Sequence, residues 1–146
     1  MLGTHPVCKL GATTALGLLT ALGVSLVTAT AAPAAPKAPA NVSVVLSEWK
    51  LVPSLASLKS GKVTFVVKND GTLDHEFVVL RTDAHHHAIA VKKGQAVEAG
   101  LAGEIANIAP GQSRAITVSL KRGKYVVLCN LLGHYKAGQF AALRVT

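Results

Sequence analysis

Cysteine is scarce in this chain of 146 residues, which contains only two. Cys8 precedes a long uncharged stretch, and Cys129 lies near the other end. Because Cys8 falls in a segment that we expect to act as a targeting signal, the folded domain keeps one cysteine and has no internal disulfide framework. The remaining thiol must be buried and inert, reactive, or bound to a ligand.

Acidic residues are also few, and the chain has 15 Lys and Arg against 7 Asp and Glu, for a net charge of +8. From Ala40 onward the count is 13 against 7, which leaves +6. The basic residues are scattered, and no basic block exceeds two residues. A nucleic-acid interface needs clustered positive charge, so no nucleic-acid partner is expected. The charge instead favours solubility and attraction to acidic partners.

The first 32 residues have the plan of an export signal. Residues 1–9 carry one lysine and no acid, no charged residue occurs from Leu10 to Ala32, and Ala29-Thr30-Ala31 offers small residues at the cleavage position. This pattern predicts a signal peptide over residues 1–31. The uncharged run is also long enough to span a bilayer, so an uncleaved anchor with membrane association is the alternative. Either way, the protein is expected to be exported, to the periplasm or the cell exterior.

Residues 32–40, APAAPKAPA, predict a stiff, solvated linker, because alternating Pro and Ala favour extended conformations and cannot form a core. The folding unit is then residues 41–146, which suits a single domain with its own core. We expect this domain to be a monomer.

Alternating apolar residues predict a domain made of β-strands. Turn signals such as Asn69-Asp70-Gly71 and Lys121-Arg122-Gly123 separate the segments, and no long helix is indicated. The expected fold is all-β, a Greek-key β-sandwich. Asp83 to Ile108 is poorly periodic and is expected to be a loop with a short helix or an edge strand. The predicted strands are Val42–Leu46, Lys62–Lys68, His75–Leu80, Arg114–Leu120, Lys124–Leu128 and Gln139–Thr146.

The loop after the strand at Lys124–Leu128 gathers polar groups with a fixed spacing. Cys129, His134 and Gln139 follow a Cys-x4-His-x4-Gln pattern, and upstream His75 opens an apolar strand. Gln139 shares a face with Leu143, so its amide should point inward and require a partner. Two imidazoles, one thiolate and a weak oxygen donor match the His2Cys copper sites with a long axial Met or Gln that transfer electrons.

The segments GTLDHEFVVL (71–80) and YVVLCNLLGHYKAGQF (125–140) resemble the cupredoxins, in particular small exported bacterial cupredoxin-like proteins. The resemblance extends over about residues 42–146. It implies one type 1 copper ion held strongly by His75, Cys129 and His134. Gln139 stands where most members have Met. Stellacyanin-like cupredoxins also have Gln at this position. A harder oxygen donor should favour Cu(II) and lower the reduction potential relative to Met.

The expected function is therefore to shuttle single electrons outside the cytoplasm, not to act as an enzyme. Leu131, Leu132 and Tyr135 flank His134 and predict an apolar surface patch where redox partner proteins dock. The alternative is extracytoplasmic copper buffering or delivery with the same ligands, which the sequence barely separates from electron transfer.

Other interpretations account for fewer residues. A binuclear copper centre would need a second cysteine in the final loop, and zinc prefers stronger donors than Gln. A nucleophilic Cys129 with His134 or His75 as base leaves Gln139 unexplained. Cys129 alone could be a small apolar core residue, and Gln139 could bond a loop carbonyl.

Two further features stand outside this site. Trp49 is expected at the core or its rim. The run His85-His86-His87 suggests a second metal site, although adjacent loop histidines are more often exposed and non-specific.

Overall fold

The computed structural model describes residues 38–146. The signal peptide or anchor predicted for residues 1–31, and most of the predicted linker, lie outside the described residues. The described residues belong to one compact unit. Residues 38–146 contain no helix long and apolar enough to cross a membrane. Their strands are β1 (Ala40–Ser47), β2 (Lys50–Pro53), β3 (Ser57–Leu58), β4 (Gly61–Asn69), β5 (His75–Arg81), β6 (Val91–Lys92), β7 (Gln95–Ala96), β8 (Leu101–Ile108), β9 (Ser113–Leu120), β10 (Gly123–Leu128) and β11 (Phe140–Val145).

These strands form the β-sandwich that the sequence predicts. One sheet has the order β2-β1-β4-β9, the other has the order β3-β11-β10-β5-β8, and β6 and β7 form a separate hairpin. The β1–β4 and β3–β11 pairs are parallel, and the remaining pairs are antiparallel. The all-β prediction is confirmed.

The main core lies between the two sheets because alternate residues of each strand point inward. On β4, Val63, Phe65 and Val67 are fully buried, as their period-two spacing predicts. Phe65 meets Phe77 of the opposite sheet with ring centroids 5.2 Å apart. This contact ties β4 to β5, the strand that begins with His75.

The strands β5 and β10 are buried on both faces, as expected for central strands with continuous apolar runs. Their inward residues join the main core, while Val78, Leu80, Val126 and Leu128 form a second cluster on the outer face. Tyr135, Ile89 and Val91 cover this second cluster. The segment after β5 therefore acts as a cover for the outer face of the sheet.

The irregular stretch from Asp83 to Ile108 contains an edge strand, which was one of its two expected forms. β8 pairs with β5 along its length, with register shifts next to His75 and next to Val79. No helix occurs in the described part of this stretch or elsewhere in residues 38–146. The short strands β2, β3, β6 and β7 were not predicted, because two to four residues are too few to show a period.

Candidate metal centre

Three side chains that were predicted as metal ligands come together at one end of the sandwich. His75 is the first residue of β5, Cys129 follows β10, and His134 lies in the loop before β11. The Cys129 sulfur lies 3.3 Å from Nδ1 of His134 and 3.8 Å from Nδ1 of His75. One donor atom of each lies within 4.8 Å of the other two. The geometry thus presents one sulfur and two imidazole nitrogens to a common point.

The loop between β10 and β11 is closed by its own backbone hydrogen bonds. The N–H of Cys129 donates to the carbonyl of Gln139 (3.0 Å), and the N–H of Gln139 donates to the carbonyl of His134 (3.2 Å). Gly133 and Gly138 have φ angles of 83° and 103°, where a side chain would be strained. These two glycines let the loop fold back, so both of its ends meet at the site.

The sulfur of Cys129 is held in the interior by the neighbouring strand. Cys129 is fully buried, and the backbone N–H of Glu76 donates a 3.2 Å hydrogen bond to its sulfur. Burial raises the pKa of the Cys129 thiol, and the Glu76 N–H bond opposes part of that rise. The thiol is therefore protonated at neutral pH until a cation stabilises the thiolate.

The imidazole of His75 is fully buried and is kept neutral by its surroundings. Burial lowers the pKa of His75, and nearby His134 lowers it further. Its outer nitrogen, Nε2, lies 3.7 Å from a carboxylate oxygen of Glu48. This carboxylate favours the tautomer with the proton on Nε2, which leaves the Nδ1 lone pair facing the sulfur.

Glu48 is itself fixed by the turn before β5. Its carboxylate accepts hydrogen bonds from the N–H groups of Leu73 (2.9 Å) and Thr72 (2.7 Å). These bonds, with Leu73 first, lower the pKa of Glu48 to about 2. Glu48 could not be predicted from the sequence, because it lies 27 positions from His75 and has no local signal of this role.

The amide of Gln139 is fully buried, as its strand face predicted. Its Nε2 lies 2.8 Å from the carbonyl of Ser47 and 3.4 Å from that of Lys50, and carbonyls only accept hydrogen bonds. The nitrogen must therefore face these carbonyls, and Oε1 faces the site, 3.1 Å from Nδ1 of His134. Nε2 also lies 3.1 Å from Nδ1 of His75. Gln139 thus bonds a loop carbonyl and aims an oxygen into the cluster.

His134 is the part of the cluster that reaches the surface, since its side chain is half-buried while the other three are enclosed. The ring of Trp49 meets the His134 ring edge-on with centroids 5.2 Å apart, and Trp49 is 47% exposed. Leu132 is 72% exposed. Tyr135 is buried, so the prediction that it belongs to the apolar surface patch is wrong. Trp49 lies at the rim rather than in the core.

Glu76 faces away from the sulfur and into a cluster of carboxylates. It is buried and lies close to Glu98 and Glu104. Burial and the neighbouring Glu104 raise the pKa of Glu76 to about 8, so this side chain is uncharged at neutral pH. A buried negative charge beside the sulfur is thereby avoided.

Two buried asparagines support the site and were not identified from the sequence. Asn69 donates to the carbonyls of Leu73 (2.7 Å) and Ile108 (2.8 Å) and accepts from the N–H of Gly71 (2.9 Å). Asn130, next to Cys129, exchanges two hydrogen bonds with the backbone of Ala96. A single asparagine beside a turn gives no sequence signal that separates such a role from ordinary turn formation.

The run His85-His86-His87 lies apart from this cluster, and its ring nitrogens are also drawn together, within 4.8 Å of one another. Among residues 38–146, two histidine-containing groups of possible metal ligands therefore occur, one buried and one at the surface.

A two-sheet sandwich with a buried cysteine and two histidines at one end defines a class of metal-binding β-domains. The cupredoxin-like domain family matches residues 18–142, and the chain belongs to this family. No match was found among curated protein sequences.

Solved structures with the same fold include an auracyanin, a rusticyanin and a mutant of that rusticyanin. The structure is similar to reduced auracyanin from the photosynthetic bacterium Roseiflexus castenholzii (TM-score 0.57, 18% identity, 75% of this chain and 99% of that chain). It is also similar to rusticyanin from Thiobacillus ferrooxidans (TM-score 0.55, 15% identity, 75% and 79%). A methionine-to-glutamine mutant of rusticyanin matches similarly (TM-score 0.55, 15% identity, 75% and 80%). At these identities, the likeness concerns the fold.

Proposed function

We propose that this protein is a one-electron carrier whose single type 1 copper ion is held by His75, Cys129 and His134, with Gln139 as a weak fourth contact. The observation that carries the proposal is the convergence of one sulfur and two Nδ1 atoms, with separations of 3.3 Å and 3.8 Å. This donor set is the one associated with blue-copper electron-transfer sites.

The spacing of the donors fits a first-row metal ion. With bonds of about 2.3 Å to sulfur and about 2.0 Å to nitrogen, the lengths known for zinc, and the angle of about 120° of a trigonal site, the two donors would lie roughly 3.7 Å apart. The S–N separations of 3.3 Å and 3.8 Å bracket that value. A metal at this point would bind the Nδ1 lone pair of His75, which Nε2 of Gln139 now approaches. The carbonyl of Lys50 is near enough to receive that amide hydrogen instead.

The protein residues hold the donor atoms in place. Copper, when bound, would carry the electron by alternating between Cu(II) and Cu(I). The thiolate favours the reduced ion, and imidazole accepts both states. Backbone bonds fix Cys129 and Gln139, and Glu48 orients His75. A site held in this way changes little between oxidation states, and a small reorganisation favours rapid electron transfer.

The exposed edge of His134 is the route by which we propose that electrons enter and leave. Trp49 packs against this ring, and Leu132, two residues before His134 in the chain, is also among the exposed apolar residues. An apolar surface without fixed ion pairs suits brief encounters with redox partner proteins. The net charge of +6 from Ala40 onward would add attraction to acidic partners at long range.

The burial pattern favours retention of the metal over its delivery. His75, Cys129 and Gln139 are all 0% exposed, so an acceptor protein could reach the ion only past His134. A delivery protein would need donors that a partner can replace one by one. We therefore rank buffering or delivery below electron transfer.

We further propose that the protein is exported to the periplasm or cell exterior, with residues 1–31 as its signal peptide or anchor and residues 32–40 as a linker. The folded domain, predicted to begin at residue 41, begins its first strand at Ala40. A single domain with its donors all on one chain supports a monomer.

The visible spectrum after addition of one equivalent of Cu(II) tests the proposal. An intense thiolate-to-copper band is expected from the wild-type protein and should be absent from Cys129→Ser. His134→Gly should lose the band, and added imidazole should restore it by replacing the missing side chain. Such recovery would show that the substitution removed a ligand and left the fold intact. A colourless wild-type sample with a folded far-UV spectrum would contradict a type 1 site.

A further inference from the structure

A second group of possible metal ligands lies in the segment between β5 and β6. The N–H of Ala88 donates to the carbonyl of His85 (2.8 Å), so residues 85–88 form a turn. In a strand, consecutive side chains point to opposite faces, but a turn can gather them on one side. One ring nitrogen of each of His85, His86 and His87 lies within 4.8 Å of the other two.

The turn is attached to the body of the domain. The hydroxyl of Tyr135 donates to the carbonyl of His86 (3.0 Å) and accepts from the N–H of Ile89 (3.0 Å). The His86 ring also packs against Phe140 with centroids 5.5 Å apart. Because Tyr135 is buried, these contacts fix the backbone that carries the three imidazoles. The cluster is therefore presented by a supported turn and not by a free loop.

The three imidazole rings lie close together. The ring centroid of His85 lies 4.3 Å from that of His86 and 4.0 Å from that of His87. Neutral imidazole is a good ligand for copper and zinc, and three imidazoles with one open position are a known zinc arrangement.

The three donors lie near the spacing that a shared ion requires. With metal–nitrogen bonds of about 2.0 Å in a tetrahedral arrangement, ligand nitrogens stand roughly 3.3 Å apart. In this structure, one nitrogen of each ring lies within 4.8 Å of the other two, so any shift needed to reach that spacing is small. His85 and His87 are exposed, so rotation of their side chains can make this shift without disturbing the core. The supported backbone at His86 stays in place.

We propose that His85, His86 and His87 form a second, surface metal site for a divalent first-row ion, with Cu(II) bound most tightly. Copper(II) stands at the top of the affinity order for imidazole donors. The adjoining cavity of about 440 Å³ is lined by Asp83 and Lys124 as well as by His85 and His86, so the ion keeps access to solvent. This access makes the second site exchangeable, unlike the buried cluster. The inference does not depend on the proposed electron transfer.

Copper retention tests the second site. Protein purified without a histidine tag would be loaded with excess Cu(II) and dialysed against glycine as a weak competitor. Total copper and the visible spectrum would then be measured together. We expect two copper ions per wild-type chain, of which one gives an intense thiolate band. His85→Ala/His87→Ala should lose one copper ion and keep the band. His87→Ala alone should weaken binding of the second ion by about tenfold or more.

The control is Lys92→Ala/Lys93→Ala, which changes two residues of the neighbouring hairpin and should retain both ions. Equal copper content in wild type and His85→Ala/His87→Ala would overturn the second site, as would a wild-type chain whose single copper ion gives the thiolate band. If wild type lacks the thiolate band but the His85→Ala/His87→Ala variant still binds one copper ion fewer than wild type, the second site stands and the proposed function fails. The two proposals are therefore separable in one experiment.

Discussion

At the scale of single residues, the orientation of one amide determines the chemistry of the candidate metal centre. The carbonyls of Ser47 and Lys50 accept from Nε2 of Gln139, so its oxygen is turned toward the cluster. A side chain chosen only to fill this space would leave those carbonyls without a donor. The amide thus combines a structural bond with an oxygen donor, and replacing it should separate these two roles.

Gln139→Met should raise the reduction potential of the copper-loaded protein, because a soft thioether stabilises Cu(I) relative to an amide oxygen. The two hydrogen-bond acceptors at Ser47 and Lys50 would lose their donor, so stability should fall by about 1–3 kcal/mol. Voltammetry and urea unfolding measure the two effects. An unchanged potential with an intact thiolate band would mean that Gln139 does not contact the metal.

Glu48 provides a prediction on pH. Its pKa is about 2 in the folded protein against an ordinary 4.5. Because the folded pKa is the lower one, the stabilisation is fully present above about pH 4.5 and is lost as the pH falls toward 2. Glu48→Gln should therefore be less stable than wild type at pH 7, and the difference should shrink at pH 3. Urea unfolding at both pH values measures this, and an equal difference at the two would exclude the carboxylate as the cause.

At the scale of elements, the turn between β4 and β5 sets the position of His75. Asn69 closes this turn and also bonds Ile108, the last residue of β8. The register shift between β5 and β8 at His75 and Phe77 lies beside it, and such irregularities commonly redirect side chains next to functional sites. One buried amide therefore holds β4, the turn and β8 together at the base of His75.

Asn69→Ala should destabilise the domain by about 2–4 kcal/mol, because three hydrogen bonds are lost and their partners are left unpaired. Copper affinity should fall as well, since the turn no longer fixes His75. The matched control is Asn41→Ala, at an exposed position of β1, where a change within about 0.5 kcal/mol is expected. Urea unfolding and copper titration of both variants are the measurements. Equal stability of the two variants would contradict this account.

A strand can be predicted from the sequence when it is long enough for its alternation of apolar and polar residues to be recognised. Val63, Phe65 and Val67 repeat often enough to indicate both the strand and its buried face. β2 and β3 are too short to do so, and β8 has few buried residues. Among the polar groups, the close spacing of Cys129, His134 and Gln139 made their convergence predictable. Glu48 and Asn69 act through the folded chain, so nothing local distinguishes them from surface residues.

At the scale of the whole molecule, the two sheets enclose all but one edge of the cluster. The net charge is positive, while apolar Trp49 packs against His134 and apolar Leu132 is exposed in the same loop as His134. Long-range attraction and short-range docking therefore depend on different parts of the surface. Changing one apolar residue near His134 should affect encounter without changing the site, which makes the proposed route for electrons testable.

Leu132→Glu should slow electron self-exchange between oxidised and reduced copies of the protein, since two facing carboxylates would repel and lose water when the patches meet. Val66→Glu is the matched control, because it introduces the same charge at an exposed position away from His134. Val66 is 43% exposed and lies on β4, in the sheet that does not contain His75. Nuclear magnetic resonance line widths of mixed oxidation states measure the rate. Both variants should keep the wild-type spectrum and potential. Equal slowing by the two would mean that net charge governs encounter, and an unaffected Leu132→Glu would mean that electrons do not pass through the His134 edge.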